Sequence, residues 1–237
     1  MFSLVNSQCT GVSRTQYVLG FSMGKSIGGV ASNSTNRGLA WMVRTLLPII
    51  LASDASSPQR QRRRGRPAHP RPCRVHLYMQ QDIADALLAH YDLRCDVIVR
   101  DDAHAYVDTC AVAREFAHHL RTRNNKHPVW LVAHPDHIRR CRAALRSFGV
   151  DHVNDVTTRV LGRSVPWLQF GCDANGYYQR STQPWTRSRG VFLRHEQQCI
   201  RRDGLAGMCR RRTRRHPRRS PRRSPRRSPR RSPRSSE

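Results

Sequence analysis

The sequence predicts an α/β domain with a mainly parallel β-sheet and helices on both faces, followed by a disordered tail. Short apolar strand patterns alternate with helical patterns over residues 15–200. No hairpin signal joins two of these strands, so crossover helices would connect them in parallel. Residues 201–237 contain sixteen arginines and few apolar side chains, too few to offset the entropy cost of ordering.

The first predicted strand, at residues 16–20, is followed by a loop rich in glycine and serine. Asn33 or Ser34 is a suitable N-cap for the next helix, which Pro48 is expected to end. Residues 49–52 form a short, continuous apolar run, which predicts a second strand covered on both faces.

Residues 53–72 are rich in serine, proline and arginine, and we expect a poorly ordered, solvated insertion that proteases cleave. Much of the net charge of +27 lies there and in the tail. Residues 59–74 supply +7 and residues 201–237 supply +14, which leaves +6 for the rest of the chain. The basic character therefore belongs mainly to these two segments.

The pattern of alternating elements resumes after the insertion. Helical spacing and apolar runs predict, in order, a helix at 80–90, a strand at 95–99, a helix at 106–121, a strand at 129–133, a helix at 136–147 capped by Asp136, a strand at 150–156 and a helical segment at 184–200. These elements complete the predicted domain.

The chain lacks the patterns of exported and membrane proteins. No basic and then apolar leader pattern opens it, and no apolar run approaches the roughly 20 residues that a spanning helix needs. The eight cysteines include no C-x-x-C pair, and we interpret them as reduced, mostly structural thiols. We therefore expect an intracellular protein, cytoplasmic or nuclear, without membrane contact. The sequence names no cofactor and leaves the oligomeric state open.

A glycine-rich loop after the first strand is the first candidate site. The segment Gly20-Phe21-Ser22-Met23-Gly24-Lys25-Ser26 is one residue shorter than the G-x-x-x-x-G-K-[ST] phosphate loop, which disfavours a nucleoside triphosphatase. Such a loop at the carboxyl end of a strand is nevertheless where ligands bind in open α/β sheets. Gly20, Gly24 and Lys25 are therefore predicted ligand contacts.

Two acids and two histidines are the other candidates. Asp102 and Asp108 follow a strand, where they are predicted as catalytic carboxylates, with helix capping as the alternative. His137 is predicted as a catalytic acid or base, and His134 and Arg140 as ligand contacts. We expect Gly20, Asp102 and His137 to converge at the carboxyl edge of the sheet.

Zinc binding is the alternative role for the turn that holds the two histidines. His134, His137 and Cys141 have a spacing that would need one more ligand to hold zinc. Hydrogen-bonded histidines are commoner at such turns, and we predict no metal site.

The tail carries four tandem Arg-Arg-Ser-Pro repeats over residues 218–233. Arginines in this density can bind nucleic-acid phosphates without reading base sequence. Each repeat also presents a candidate phosphorylation site, which would reduce the positive charge: Ser220, Ser224, Ser228 and Ser232. The alternatives are a merely solvated tail, or one of little functional weight.

Four segments of residues 15–200 resemble the SanA, ElyC and YdcF-like family, a widespread group of α/β proteins of largely undefined activity. They are Tyr17-Val18-Leu19-Gly20, Ala105-Tyr106-Val107-Asp108-Thr109, the segment from Leu131 to Arg140, and Trp185-Thr186-Arg187-Ser188-Arg189. The resemblance implies a Rossmann-like three-layer fold and a site for a polar small molecule. It leaves open whether the domain is an enzyme of hydrolase or transferase type.

Overall fold

A computed structural model of the chain describes residues 15–24, 34–55, 74–100, 108–123, 129–155, 161 and 165–203. The elements are β1 (Thr15–Gly20), α1 (Ser34–Ala55), β2 (Arg74–Gln80), α2 (Gln81–Tyr91), β3 (Val97–Val99), α3 (Thr109–Thr122), β4 (Val129–Val132), α4 (Ile138–Ser147), β5 (Val153–Asp155) and α5 (Arg189–Asp203). Two 3-10 helices, Trp167–Phe170 and Pro184–Thr186, precede α5.

The five strands form one parallel sheet in the order β3-β2-β1-β4-β5. The chain builds outward from β1 to β3, returns to the other side of β1 as β4, and ends at β5. Helices provide the crossovers that parallel neighbours require. This doubly wound arrangement confirms the predicted α/β, Rossmann-like fold with its parallel sheet.

The side chains of the strands alternate between two apolar layers. Val18 and Met79 face α1 and α2, while Tyr17, Leu19 and Tyr78 face α3 and α4. All five are at most 2% exposed. The helices therefore cover both faces, which gives three layers and leaves the ends of the strands as the place for a site.

The structure corrects the predicted end of α1 and the predicted second strand. The helix continues through Pro48 to Ala55, so residues 49–52 are helical. Ile50 is fully buried whereas its neighbours Ile49 and Leu51 are 39% and 48% exposed, a one-sided pattern that a strand covered on both faces would not show. Burial of Leu46 and Ile50 on either side of the proline outweighs its tendency to break a helix.

The second strand is instead β2, which the sequence analysis missed. Its apolar residues Val75, Leu77 and Met79 alternate with more polar or aromatic ones and face the α1 and α2 layer. This period of two was the available signal. The continuous apolar run at residues 49–52 was assigned as the second strand instead.

The cysteine prediction is wrong at one position. Cys110 is disulfide-bonded, and because Cys95, Cys141, Cys172 and Cys199 are free, its partner lies outside the described residues. The four free cysteines agree with the predicted thiols.

Several other predictions lie beyond what can be compared. Lys25, Asp102, the tail from residue 204 with its four serines, and the predicted insertion after Ala55 all lie outside the described residues. The predicted bounds of both segments are wrong at one end, because residues 53–55 belong to α1 and residues 201–203 to α5. Among the helices that are described, none has both the length and the apolar character to cross a bilayer.

Candidate functional site

The candidate site lies where the winding of the sheet reverses, between β1 and β4. Gly20 pairs with Val132 in the register of these strands, and the Phe21 amide donates a hydrogen bond to the Val132 carbonyl at 2.9 Å. The segments that leave the two strands therefore start side by side. This carboxyl edge is where doubly wound sheets hold their ligands.

Side chains from neighbouring elements hold the loop after β1. Gln80 accepts a hydrogen bond from the Ser22 amide at 3.0 Å, and Asn36 accepts one from the Met23 amide at 2.9 Å. Asn36 also donates to the Gly24 carbonyl at 3.0 Å. These amides already have partners, so this part of the loop is not an open phosphate cradle.

The two predicted glycines are required by packing. A Cβ at Gly20 would lie 2.5 Å from the Met79 Sδ. Gly24 has φ +74°, and a Cβ there would lie 2.5 Å from the hydroxyl oxygens of both Ser181 and Thr186. Their predicted ligand contacts stay predictions.

His134, the first histidine after β4, is completely enclosed. Its Nδ1 accepts a hydrogen bond from the Asp136 amide at 3.3 Å, so its Nε2 carries the proton and donates to the Asn175 carbonyl at 2.8 Å. Trp167 and Tyr177 pack against the ring. Burial lowers the pKa of His134 to about 4, which keeps the imidazole neutral. These contacts give His134 a structural role, and its predicted contact with a ligand stays a prediction.

Asp136 does not cap α4 as the sequence analysis predicted. The N-cap position is His137, and no side chain caps it by a hydrogen bond. The Asp136 carboxylate instead accepts hydrogen bonds from the Tyr177 hydroxyl at 2.8 Å and the Arg189 Nε at 3.0 Å. Burial raises the pKa of Asp136, but these two donors outweigh it, so the pKa is lower than usual.

His137 and Arg140 belong to a polar cluster that α5 completes. The Arg140 Nη1 donates to the Glu196 Oε1 at 2.6 Å, and its Nη2 donates to the Thr109 hydroxyl at 3.1 Å. The same hydroxyl lies 3.3 Å from the His137 Nε2. The His137 Nδ1 lies 3.7 Å from the Glu196 Oε1, too far for a hydrogen bond, and the pair would be ionic only with a protonated imidazole.

Burial controls the ionisation of this cluster. It lowers the pKa of His137, against the opposing effect of Glu196. Burial raises the pKa of Glu196, but His137 and Arg140 outweigh that effect, so the pKa lies below its ordinary value. A neutral imidazole therefore lies beside an ionised carboxylate and a guanidinium.

A small cavity opens at the cluster. Its volume is about 10 Å³, roughly the room that one water molecule needs. Its walls come from the loop after β1, from α4, from the 3-10 helix before α5 and from α5 itself, and include Ser22, Gly24, His137, Arg140, Trp185 and Glu196. Four separate parts of the chain thus meet at this point.

Asp108 is a neighbour of the cluster in sequence, through Thr109. Its carboxylate accepts a hydrogen bond from the Ala111 amide at 2.8 Å and caps α3. This is the alternative that the sequence analysis left open. Its predicted catalytic role stays a prediction.

Sequence reasoning missed Thr109 and Glu196 as members of the site. Glu196 lies one helical turn after the buried Phe192, on a helix whose only other acid is Asp203. A lone acid among arginines, on the apolar side of a helix, is a signal that could have pointed to it.

The described residues contain no group of three histidine, cysteine or acidic side chains that could hold a metal ion. Comparison of the chain with protein-family models, with curated proteins and with solved structures found no match. The argument for function therefore depends on the site itself.

Proposed function

We propose that the domain binds a polar or phosphorylated small molecule at the carboxyl edge of its sheet. The observation that carries this proposal is that His137 and Arg140, which both contact the Thr109 hydroxyl, line a cavity at the switch point between β1 and β4. A buried guanidinium with two hydrogen-bonding arms suits phosphate or carboxylate groups.

We also propose the chemistry that such a site would support. The proposed catalytic acid or base is His137, whose Nε2 faces the Thr109 hydroxyl, so a proton from a bound hydroxyl or water would pass to it through that hydroxyl. Asp102 and Asp108 remain proposed catalytic carboxylates. Gly20, Gly24, Lys25 and His134 remain proposed ligand contacts. The likeness to the SanA, ElyC and YdcF-like family belongs to the same proposal.

A thermal-shift screen of the full chain against nucleotides, sugar phosphates and carboxylates tests this function. A true ligand should raise the melting temperature of the wild type and of Arg146→Met, a change at an exposed arginine on the same helix. It should not stabilise Arg140→Met or Arg140→Lys, because lysine lacks the planar two-armed geometry. A ligand that stabilises all four proteins equally would bind elsewhere and overturn the proposal.

The second candidate is association with nucleic acid, and the repeats at 218–233 favour it. In this case the log of affinity should fall linearly with the log of salt concentration, by about 0.7 to 0.9 for each phosphate contact. Replacing Ser220, Ser224, Ser228 and Ser232 by aspartate should flatten that slope. Sequence-specific binding that survives deletion of residues 210–237 would contradict it. A cytoplasmic or nuclear location is part of this proposal.

A further inference from the structure

The cavity is too small for the polar or phosphorylated ligand that we propose. At about 10 Å³ it has no space for a phosphoryl group, so a side chain must leave before a ligand enters. The loop after β1 is fixed by Gln80 and Asn36, and Arg140 is held on α4 by Thr109. Glu196 is the member of the cluster that comes from outside these layers, on α5.

Helix α5 buries few of its side chains. Of its side chains that the structure describes, only Phe192 and Glu196 are buried. One buried apolar residue is little of the burial that normally fixes a helix. Moving α5 would break the contacts of Glu196, the ring contacts of Phe192 with His134, His137 and Tyr177, the stacking of His195 on Trp185 and the exposed pair of Arg189 with Asp136.

The Glu196 carboxylate makes the contacts that an anionic ligand would make. It is 9% exposed and lies against Arg140 as an external carboxylate or phosphate oxygen would. It does not satisfy every donor, however. The buried Arg140 Nε and His137 Nδ1 have no hydrogen-bond partner among the described residues.

These two nitrogens indicate which anion fits better. Because the Thr109 hydroxyl accepts from Arg140, its own hydrogen can donate to the His137 Nε2, which leaves the imidazole proton on Nδ1. Both unsatisfied atoms are then donors. A phosphoryl group presents three oxygens and can reach donors that the two oxygens of one carboxylate leave unpaired.

We propose that Glu196 is a built-in substitute for a phosphoryl group, and that a phosphate-bearing ligand replaces it on Arg140 and His137 as α5 withdraws. This inference rests on the proposed function. It names the ligand class and makes α5 the gate of the site. One anion replaces another, so the Arg140 guanidinium has a negative partner in both states.

Titration of the full-length protein with inorganic phosphate, at constant ionic strength, tests this exchange. Glu196→Gln keeps the shape of the side chain and removes the competing charge. It should bind phosphate at least about tenfold more tightly than the wild type, because the internal competitor no longer has to be displaced. Glu115→Gln, the same change at an exposed position on α3, should bind as the wild type does. Arginines of the tail contribute equally to all three proteins.

The double variant Glu196→Gln with Arg140→Lys locates the effect, because it should lose the gain. Equal or weaker binding by Glu196→Gln would overturn the exchange, yet the proposed function would stand if ligands from the screen still required Arg140. Hydrogen exchange of the wild type gives a readout that needs no variant. Phosphate should increase amide exchange in α5 several-fold and leave α2 unchanged, whereas protection of α5, or no change there, would contradict withdrawal.

Discussion

Two histidines three residues apart, His134 and His137, lie in the same turn after β4 and differ in their hydrogen bonds. Both are buried, and burial lowers the pKa of both. His134 has a hydrogen bond at each ring nitrogen, whereas the Nδ1 of His137 has none among the described residues. The two histidines therefore differ in the completeness of their hydrogen bonding and not in their burial.

Different segments cover the two histidines. The segment 165–178, with Trp167 and Tyr177, packs over His134. A Cβ at Gly176 would lie 2.7 Å from the Trp167 ring and 3.0 Å from the His134 Nε2, so this cover is tightly closed. Helix α5 covers His137 with Phe192 and Glu196. The first cover is made by tight apolar packing, whereas the second combines one buried aromatic ring, Phe192, with the ion pair of Glu196 and Arg140.

Truncation of His134 should have the largest effect on stability. His134→Ala leaves a cavity between Trp167 and Tyr177 and removes the donor of the Asn175 carbonyl, which should lower the free energy of unfolding by about 3 kcal/mol. Urea denaturation measures this, with His152→Ala at an exposed histidine as the control. A loss no larger than that of the control would contradict the enclosed state of His134.

Acid should weaken the fold through the same residue. The pKa of His134 is about 4 in the folded protein and near 6.5 in the unfolded chain. As pH falls below about 6.5, the unfolded chain therefore takes up a proton that the folded protein does not, and the folded state loses stability. Between about pH 7.5 and pH 5 this should cost about 2 kcal/mol for His134 alone. His137 and His119, whose pKa values burial also lowers, add to it in the same direction.

Urea denaturation across this pH range should show a shallower slope for His134→Gln than for the wild type. The carboxyls of Asp96, Asp136 and Glu196 have pKa values below the ordinary range, so their stabilisation is lost only at lower pH. The window above pH 5 therefore isolates the histidines. Identical slopes in the two proteins would show that His134 is not the group that titrates.

A glycine in α1 tests how tightly the cover over His134 is packed. Alanine normally stabilises a helix interior by about 1 kcal/mol relative to glycine. At Gly38, however, a Cβ would overlap the Trp167 ring. Because overpacking costs about 1–3 kcal/mol, Gly38→Ala should destabilise the protein by about 1 kcal/mol net.

Gly190 on α5 is the comparison position, since among the described residues a Cβ added there would have only the Arg194 Nη1 within 4 Å, at 3.8 Å. Gly190→Ala should stabilise by about 0.5 kcal/mol. Opposite signs for the two substitutions in thermal denaturation would confirm that the two covers differ in packing. A gain at both positions would mean that Trp167 moves easily.

Much of the fold was predictable because local patterns and burial agreed over most of its elements. The strands at β1 and β4 and the helices α2 to α4 follow their apolar periodicity. The assignment failed where a tertiary effect overrode a local rule, as at Pro48, which burial of Leu46 and Ile50 keeps inside a helix. No pattern within a segment reports the packing partner that decides such cases.

The site was predictable only in part. A residue that follows a strand can be placed at the carboxyl edge, which is how Gly24, His137 and Arg140 were chosen. Whether a side-chain nitrogen has a hydrogen-bond acceptor depends on residues far along the chain, such as Asn175 for His134 and Glu196 for Arg140. For this reason the sequence could not separate the two histidines.

The smallest effect is expected at the rim, where Arg189 at the start of α5 pairs with Asp136. The Arg189 side chain is 53% exposed, and exposed ion pairs add little to stability because water and salt screen them. Arg189→Gln should leave the urea midpoint unchanged within error. Tyr177→Phe, which removes the buried donor to the same carboxylate, should cost about 1 kcal/mol. If Arg189→Gln costs as much as Tyr177→Phe, the start of α5 is fixed more firmly than the exchange of Glu196 for a ligand requires.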